Sequence, residues 1–510
     1  MKPHQSISRF TSEVPVAQDR FRTRQWVAVL GASVLLLAAC ASSEGIRSEA
    51  TVLKPEALGL AAATPTADAD TVAPLQVEWW LDWRDPVLTE LITQALKAQP
   101  SLKVAQARLS RAQAGVAGER ASEGPKVNGA ADVTRQRFSA TSIYPAPLGG
   151  SIRTLASAQL SGSWEFDFFG RHHAAMEAAL GTERAAAADV QAARTMLANQ
   201  VAQTYVQLGR LVAQREVAQR SLAQRNEMLG LVRQRVDAGL DSRVELRQGE
   251  GALPEARQQL EQIDEQMVLT RHALAALSAQ APNSLDVLSP QLADLHAVSL
   301  PERLPADLLG RRADITAARW RMEAATQGVR VAKTQFYPNI NLTAFVGLSS
   351  IGLDRLTESG SQQYGVGPAI RLPIFDAGNL RANLRGKAAD LDAAVESYNG
   401  AVLEAVREVA DQLGSQRSIE RQQVQQVQAQ AAAESAYAYA TERYRAGLST
   451  HLTVLNAESA MLNQRRQAVD LQARALAVRF ALIRALGGGY GGDAAAPQAQ
   501  GATDAPLPRS

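Results

Sequence analysis

"QRVDAGLDSRVEL", Gln234 to Leu246, is echoed by "ERYRAGLSTHLTVL", Glu442 to Leu455. Arg235 matches Arg443, Ala238-Gly239-Leu240 matches Ala446-Gly447-Leu448, and Ser242 matches Thr450. The offset is constant: 447 − 239 = 208. No proline interrupts Leu148 to Leu253 or Ile374 to Ala496, and Ala, Gln, Arg, Leu and Glu, all good helix formers, dominate long stretches of the chain. From Arg171 to Arg235 alone (235 − 171 + 1 = 65 residues) a helix would run roughly 100 Å at 1.5 Å per residue. A helix of that length has to be paired along its course, as in a coiled coil. Gly239 and Gly447 suit the left-handed residue that closes a helix. The echo therefore predicts two equivalent hairpin tips made by internal duplication, with return helices to about Ala279 and Leu486.

The duplication extends outward from the tips. "PSLKVAQARLSRAQAGVAGERASEGPKV", from Pro100, matches "ADITAARWRMEAATQGVRVAKTQFYPNI", from Ala313. Leu102 aligns with Ile315, Arg108 with Arg321 and Pro125 with Pro338, at the offset 338 − 125 = 213. Both read as amphipathic helices that end before a proline. After each proline the pattern switches to period two. In "NINLTAFVGLSS", Ile340, Leu342, Ala344, Val346 and Leu348 share one face, and polar or small residues take the other, with Phe345 the exception. In "QYGVGPAIRLPI", Tyr364, Val366, Pro368, Ile370, Leu372 and Ile374 alternate in the same way. The first half repeats this more weakly over 126–137 and 155–166, where Ala156, Ala158, Leu160, Trp164 and Phe166 oppose Ser157, Gln159, Ser161, Ser163 and Glu165. Such strands fit a tilted membrane crossing as well as a hairpin packed on a soluble core. Four strands cannot close a barrel, and open edges are not tolerated in lipid, so a membrane reading requires further copies of the chain.

Net charge is +2, and basic and acidic residues interleave, so no global field points to nucleic acid. The single cysteine closes a signal-like segment. Arg20, Arg22 and Arg24 precede the apolar run Trp26 to Ala39, which is short of the roughly 20 residues a membrane helix needs. Leu37-Ala38-Ala39-Cys40 resembles the bacterial lipobox, in which the cysteine is acylated and becomes the new N-terminus. An ordinary signal with a chance cysteine is the alternative. Several acyl chains on Cys40 would anchor the chain stably. Ala41 and Ser42, by resemblance to lipoprotein sorting, favour the outer membrane.

The predicted organisation is a signal at 1–39, lipid anchor and tether at 40–74, a first repeat at 75–280 with its tip near 237–243, and a proline-studded inter-repeat segment at 281–312. A second repeat follows at 313–486, with strands at 339–349 and 363–374 and a tip near 445–451, and then a disordered tail at 487–510.

These residues resemble the TolC-type outer-membrane factor family, in its NodT-like lipoprotein branch serving resistance–nodulation–division (RND) efflux. The likeness runs from about Trp79 to Leu486 and rests on "WWLDWRDPVLTELITQAL", "RRADITAAR…AKTQFYPNINLTAFVG" and "YRAGLSTHLTVLNAE" together. Ala313 departs from the family's usual proline. The resemblance implies a mainly α fold with a membrane β-barrel: four strands per chain in a trimeric twelve-stranded barrel, continued by a periplasmic α-helical tunnel. It implies a homotrimer in outer-membrane lipid, a periplasmic adaptor protein and an inner-membrane RND transporter as partners. It also implies no cofactor beyond the covalent lipid on Cys40. Tips that coil inward would make Leu452, Asn456 and Glu245 gate residues, with Asn456 where many relatives carry aspartate. Gly239, Leu240, Gly447 and Leu448 would be the adaptor-docking tips.

Enzyme chemistry finds no support in the sequence. The six histidines lack metal-ligand spacing, and no nucleophile elbow or phosphate loop is present. "DFFG" at Asp167 reads as part of a strand-end aromatic cluster with Phe166, Phe168 and Phe169. Two other functions fit parts of the pattern: an outlet for polypeptides in type I secretion, and an anchored coiled-coil spacer without a pore.

Overall fold

The computed structural model describes residues 43–53, 76–295 and 311–491. Cys40, the signal segment, most of the tether and most of the tail lie outside them. The described residues form two compact units.

The first unit, residues 43–49, 119–176 and 325–391, holds one four-stranded antiparallel sheet in the order β1 (Lys126–Arg137), β2 (Ile152–Glu165), β3 (Asn339–Ile351), β4 (Gln362–Arg371). The register explains the alternation. Val127 lies opposite Gly162, Gly129 opposite Leu160 and Val133 opposite Ala156. On the same face Trp164 pairs with Leu342, Leu160 with Val346, Val346 with Tyr364, and Ile340 with Ile370. The opposite face carries Ser161, Gln159, Thr343 and Gln363. Phe345 breaks the pattern because it covers Gly365, where a Cβ would come within 2.7 Å of the ring. Gln363 donates to Gln159 at 3.2 Å. Both residues pair with Gly347, where a Cβ would lie 2.4 Å from the Ala158 carbonyl. Among the described residues nothing pairs with the outer edges of β1 and β4.

Two strand limits differ from the sequence reading by three residues, and the others agree to within two. β2 starts at Ile152 rather than 155, because Ile152, Arg153 and Thr154 complete the ladder to Arg137, Gln136 and Arg135. β4 stops at Arg371 rather than 374, because Pro373 has no N–H to give a ladder. Beyond it Leu372, Ile374 and Phe375 are exposed. The aromatic cluster at the end of β2 is present: Trp164–Phe166 rings are 4.7 Å apart and Phe166–Phe168 5.8 Å. Phe169 stacks on Tyr337 at 4.9 Å.

The second unit, residues 50–53, 76–118, 177–295, 311–324 and 392–491, is helical. The chain contains α1 (Pro86–Ala98), α2 (Pro100–Ser122), α3 (Arg171–Asp237), α4 (Arg243–Leu277), α5 (Ala313–Thr334), α6 (Asn379–Arg445) and α7 (His451–Ala485). α3 and α6 have 67 residues each, and α4 and α7 have 35 each, so the two long hairpins match in length residue for residue. The core gathers Trp79, Trp80 and Trp83 against Phe480, with the Trp83 and Phe480 rings 4.1 Å apart. Asp85 caps α1 through the N–H groups of Val87 and Leu88, and accepts the Tyr205 hydroxyl at 2.8 Å. Burial and that carboxylate push the Tyr205 hydroxyl pKa well above its ordinary value.

Two segments read as tether and disordered tail are in part bound. Asn399, 5% exposed, accepts the Leu53 N–H at 2.8 Å and donates to the Thr51 carbonyl at 3.0 Å, while Asp392 accepts the Ala50 N–H. Gly487, Gly488 and Gly489 all have positive φ, and the N–H groups of Gly487 and Gly488 close the C-terminus of α7 on the Arg484 and Ile483 carbonyls. A Cβ at Gly489 would lie 2.1 Å from the Gln76 carbonyl, so only glycine fits there. No described helix is long and apolar enough to cross a membrane.

Candidate gate and docking site at the hairpin tips

Both tips lie in the helical unit and have the same backbone. α3 ends with Gly239 at φ 71°, and α6 ends with Gly447 at φ 74°. Gly239 N–H donates to Val236 and Leu240 N–H to Arg235; Gly447 N–H donates to Tyr444 and Leu448 N–H to Arg443. This is the paired closure of a left-handed helix end, and it satisfies carbonyls that the helix leaves free. It projects Leu240 and Leu448 outward, 65% and 68% exposed.

The side chains diverge. Ser242 accepts the Val244 N–H at 3.1 Å, and the Glu245 carboxylate accepts both the Ser242 N–H and its hydroxyl. That reciprocal pair is a capping box. The Ser242 hydroxyl holds the Glu245 carboxyl below the usual carboxylate range. Glu245, expected at a gate, is thus engaged in starting α4. The second tip has Thr450 at the equivalent place and makes no side-chain cap.

Instead the second tip is held by the first. Arg235 donates to Asp241 at 3.0 and 3.3 Å, and Asp241 also accepts the Tyr444 hydroxyl across the hairpins. The Arg235 guanidinium lies 4.7 Å over the Tyr444 ring. Arg235 and Tyr444 together hold the Asp241 carboxyl below its ordinary range. Tyr444 is fully buried among Val232, Ala440 and Val454. His451 packs on it at 5.6 Å and is 1% exposed, and burial lowers its pKa.

Leu452 is 54% exposed, and Asn456, one turn further, shares its open side of α7. The opposite side of that helix, Val454, Glu458 and Met461, is buried. So the structure groups Leu452 with Asn456, and Leu240 with Leu448 by type of exposure. Cys40 lies outside the described residues.

Sequence reading missed Tyr444, Asp241, Arg235 as an ion-pair partner, and His451. A signal was available for three of them, because the echo fails there: Tyr444 aligns with Val236, Asp241 with Ser449 and His451 with Arg243 at the 208 offset.

A sheet with one apolar face and open edges, together with duplicated helical hairpins of this length, fits a channel-forming outer-membrane class of protein. Residues 91–280 and 304–488 match the family "Outer membrane efflux protein". The chain belongs to that family. It is 32% identical over 472 residues to "Multidrug resistance outer membrane protein MdtQ" of Escherichia coli O6:H1, covering 90% of this chain and 96% of that protein. It is 35% identical to "Fusaric acid resistance protein FusA" of Burkholderia cepacia, over 70% of this chain and 68% of that one. The crystal structure of the outer membrane protein VceC from Vibrio cholerae superposes with a TM-score of 0.77 at 37% identity, covering 82% of this chain and all of that one. The protein is an outer-membrane efflux channel.

Proposed function

We propose that three copies form the outlet of a tripartite efflux system, joined through a periplasmic adaptor to an inner-membrane RND transporter. The observation that carries this reading is the sheet. Its apolar face suits lipid and its polar face suits water, and its two free edges need partners. Three copies supply 4 × 3 = 12 strands for one closed barrel. The names of relatives, which include multidrug and fusaric acid resistance, support small toxic solutes as cargo. The conduit is passive, and the pump supplies the energy.

In this reading Cys40 carries the lipid anchor, and no other cofactor is required. Leu452 and Asn456 turn toward the axis and close the periplasmic end, with Glu245 shaping the first tip. Gly239, Leu240, Gly447 and Leu448 meet the adaptor; the exposed leucines suit an apolar socket. A ring of asparagine at Asn456 attracts cations less than a carboxylate ring would.

Native mass of the mature protein in mild detergent, corrected for bound detergent, tests the assembly. Three chains are expected, and a stable monomer would overturn the closed barrel. In planar bilayers Leu452→Glu should raise conductance by setting like charges against one another around the axis. Unchanged conductance would remove Leu452 from the gate.

A further inference from the structure

The register sorts the charged residues of the sheet by face. Lys126 lies opposite Ser163, Asp132 opposite Ser157, Arg153 opposite Gln136, Glu165 opposite Asn341 and Arg371 opposite Asn339, all on the polar side. Arg135 lies opposite Thr154 and Arg137 opposite Ile152, in line with Val127, Val133 and Leu160 on the apolar side. No other residue on the apolar face of the four described strands is charged. Both arginines are exposed, and among the described residues neither side chain has an ion-pair or hydrogen-bond partner.

Their depth is fixed by the strand. The chain passes between sheet and helices at one end only: α2 leads into β1, β2 into α3, α5 into β3 and β4 into α6, whereas residues 138–151 and 352–361 join strands at the other end. Trp164 marks the helical end of the apolar face. It is 42% exposed, and its indole N–H donates to the Glu123 carbonyl at 3.0 Å. An apolar ring with a satisfied N–H suits a membrane interface. From Trp164 to Thr154, the partner of Arg135, is 164 − 154 = 10 residues, or about 34 Å of antiparallel strand. At a tilt of about 40° this covers about 26 Å of height, against an apolar band of about 25 Å in membrane barrels. Arg135 therefore falls at the far edge of the hydrocarbon, where the cost of a charge fades, and Arg137 about 5 Å beyond it. The backbone there stays paired: Phe138 N–H donates to the Ser151 carbonyl at 2.9 Å, and the Phe138 carbonyl accepts the Gly150 N–H at 3.0 Å.

We infer that Arg135 and Arg137 form a binding site for a phosphorylated lipid of the outer leaflet. Same-face neighbours on a strand stand about 7 Å apart, so both guanidinium groups can grip one headgroup phosphate, each through paired hydrogen bonds. Val133 and Leu160, on the same face toward the helical end, supply apolar contact for the acyl chains, which a free anion would not use. A neighbouring copy is the other source of negative charge, because β1 is a free edge. The apolar-face residues of β4 at the loop end, Gln362 and Tyr364, are neutral, so a strand docked edge to edge brings no carboxylate there. This rests on the reading that the apolar face meets lipid with the loops outside.

The test uses the full-length chain in mild detergent, titrated with lipid A, with dephosphorylated lipid A and with inorganic phosphate, and counts bound lipid by native mass spectrometry. Wild type should hold lipid A about tenfold more tightly than the dephosphorylated form. Arg135→Gln with Arg137→Gln should remove that preference, and Arg153→Gln, on the polar face, should keep it. A double variant that binds like wild type would overturn the site. Displacement of lipid A by an equal concentration of inorganic phosphate would also overturn it, in favour of a free-anion site. If wild type shows no preference and the oligomer of the double variant falls apart, the arginines join copies and hold no lipid. Val346→Lys separates the site from the reading beneath it, because a lysine midway along the apolar face should block outer-membrane insertion. Normal insertion would remove the lipid-facing sheet and the site with it, whereas blocked insertion without a phosphate preference in wild type would remove the site alone. Should the double variant not assemble, wild type still decides: equal affinity for the two forms of lipid A would overturn the proposal.

Discussion

The two hairpin tips share a backbone and differ in what holds them. The first is self-sufficient: Ser242 and Glu245 cap α4, and Arg235 reaches Asp241 six residues on. The second has no side-chain cap, buries a histidine, and leans on the first through Tyr444 and Asp241. Duplication supplied two identical turns, and side-chain divergence made one a post and the other a leaf hung from it. In the gate proposed above, that asymmetry suits the second tip as the moving part, because segments that move in function come from the less stable end of a structure.

Asp241 is where the comparison breaks most sharply. Asp241→Ala leaves the Arg235 guanidinium and the Tyr444 hydroxyl, both largely buried, without their acceptor, and should cost about 2 kcal/mol of tip stability. Ser449 occupies the equivalent place in the second tip, and its hydroxyl is buried with no hydrogen-bond partner. Ser449→Ala should therefore cost nothing. Amide hydrogen exchange across residues 228–248 and 437–457 measures both. Equal effects at the two positions would end the claim that one tip supports the other.

Gly239→Ala and Gly447→Ala sharpen the same comparison from the other side. No atom lies within 4 Å of a Cβ added at either glycine, so the cost is left-handed backbone strain alone, about 1 kcal/mol at each tip. The two values should agree, since φ is 71° and 74°. A large difference would show that side chains, not backbone, set the shape of the turn. Ser242→Ala follows at about 1 kcal/mol or less for a lost cap, against a few tenths for Thr450→Ala.

Much of this architecture was legible in the sequence. The long helices α3, α6 and α7 follow from proline-free runs, both tips from glycine in an echoed motif, and the sheet faces from period-two alternation, because each depends on local chemistry. The end of β4 falls at Arg371 and not at the expected 374, a limit that Pro373 marks in the sequence. What could not be read is long-range pairing. Tyr444 and Asp241 are 203 residues apart, and Leu53 and Asn399 are 346 apart. The bound part of the tether illustrates the limit. Its Ala, Thr, Ser and Pro composition reads as linker, whereas its order comes from backbone hydrogen bonds to Asn399 and Asp392, which composition does not encode.

The smallest expected effect separates the tips by pH. His451 is held below its ordinary pKa, first by burial, while the nearby Asp241 and Glu245 carboxylates act in the opposite sense. Unfolded histidine takes a proton near pH 6.5, whereas buried His451 does so only at lower pH. Between those values the unfolded state binds more protons, so stability of the second tip is full above that range and falls as pH drops through it. Glu245, whose carboxyl is lowered by the Ser242 hydroxyl, works in a different window. Its contribution is present above the ordinary glutamate pKa and is lost only as pH falls through the lowered one. Moving from about pH 7.5 to about pH 5.5 should then raise amide exchange in the first turn of α7, after correction for intrinsic rates, and leave the first turn of α4 unchanged. His451→Gln should abolish the difference. If α4 loosens equally, the acid response belongs to the assembly as a whole and His451 is a passive filler beneath Tyr444.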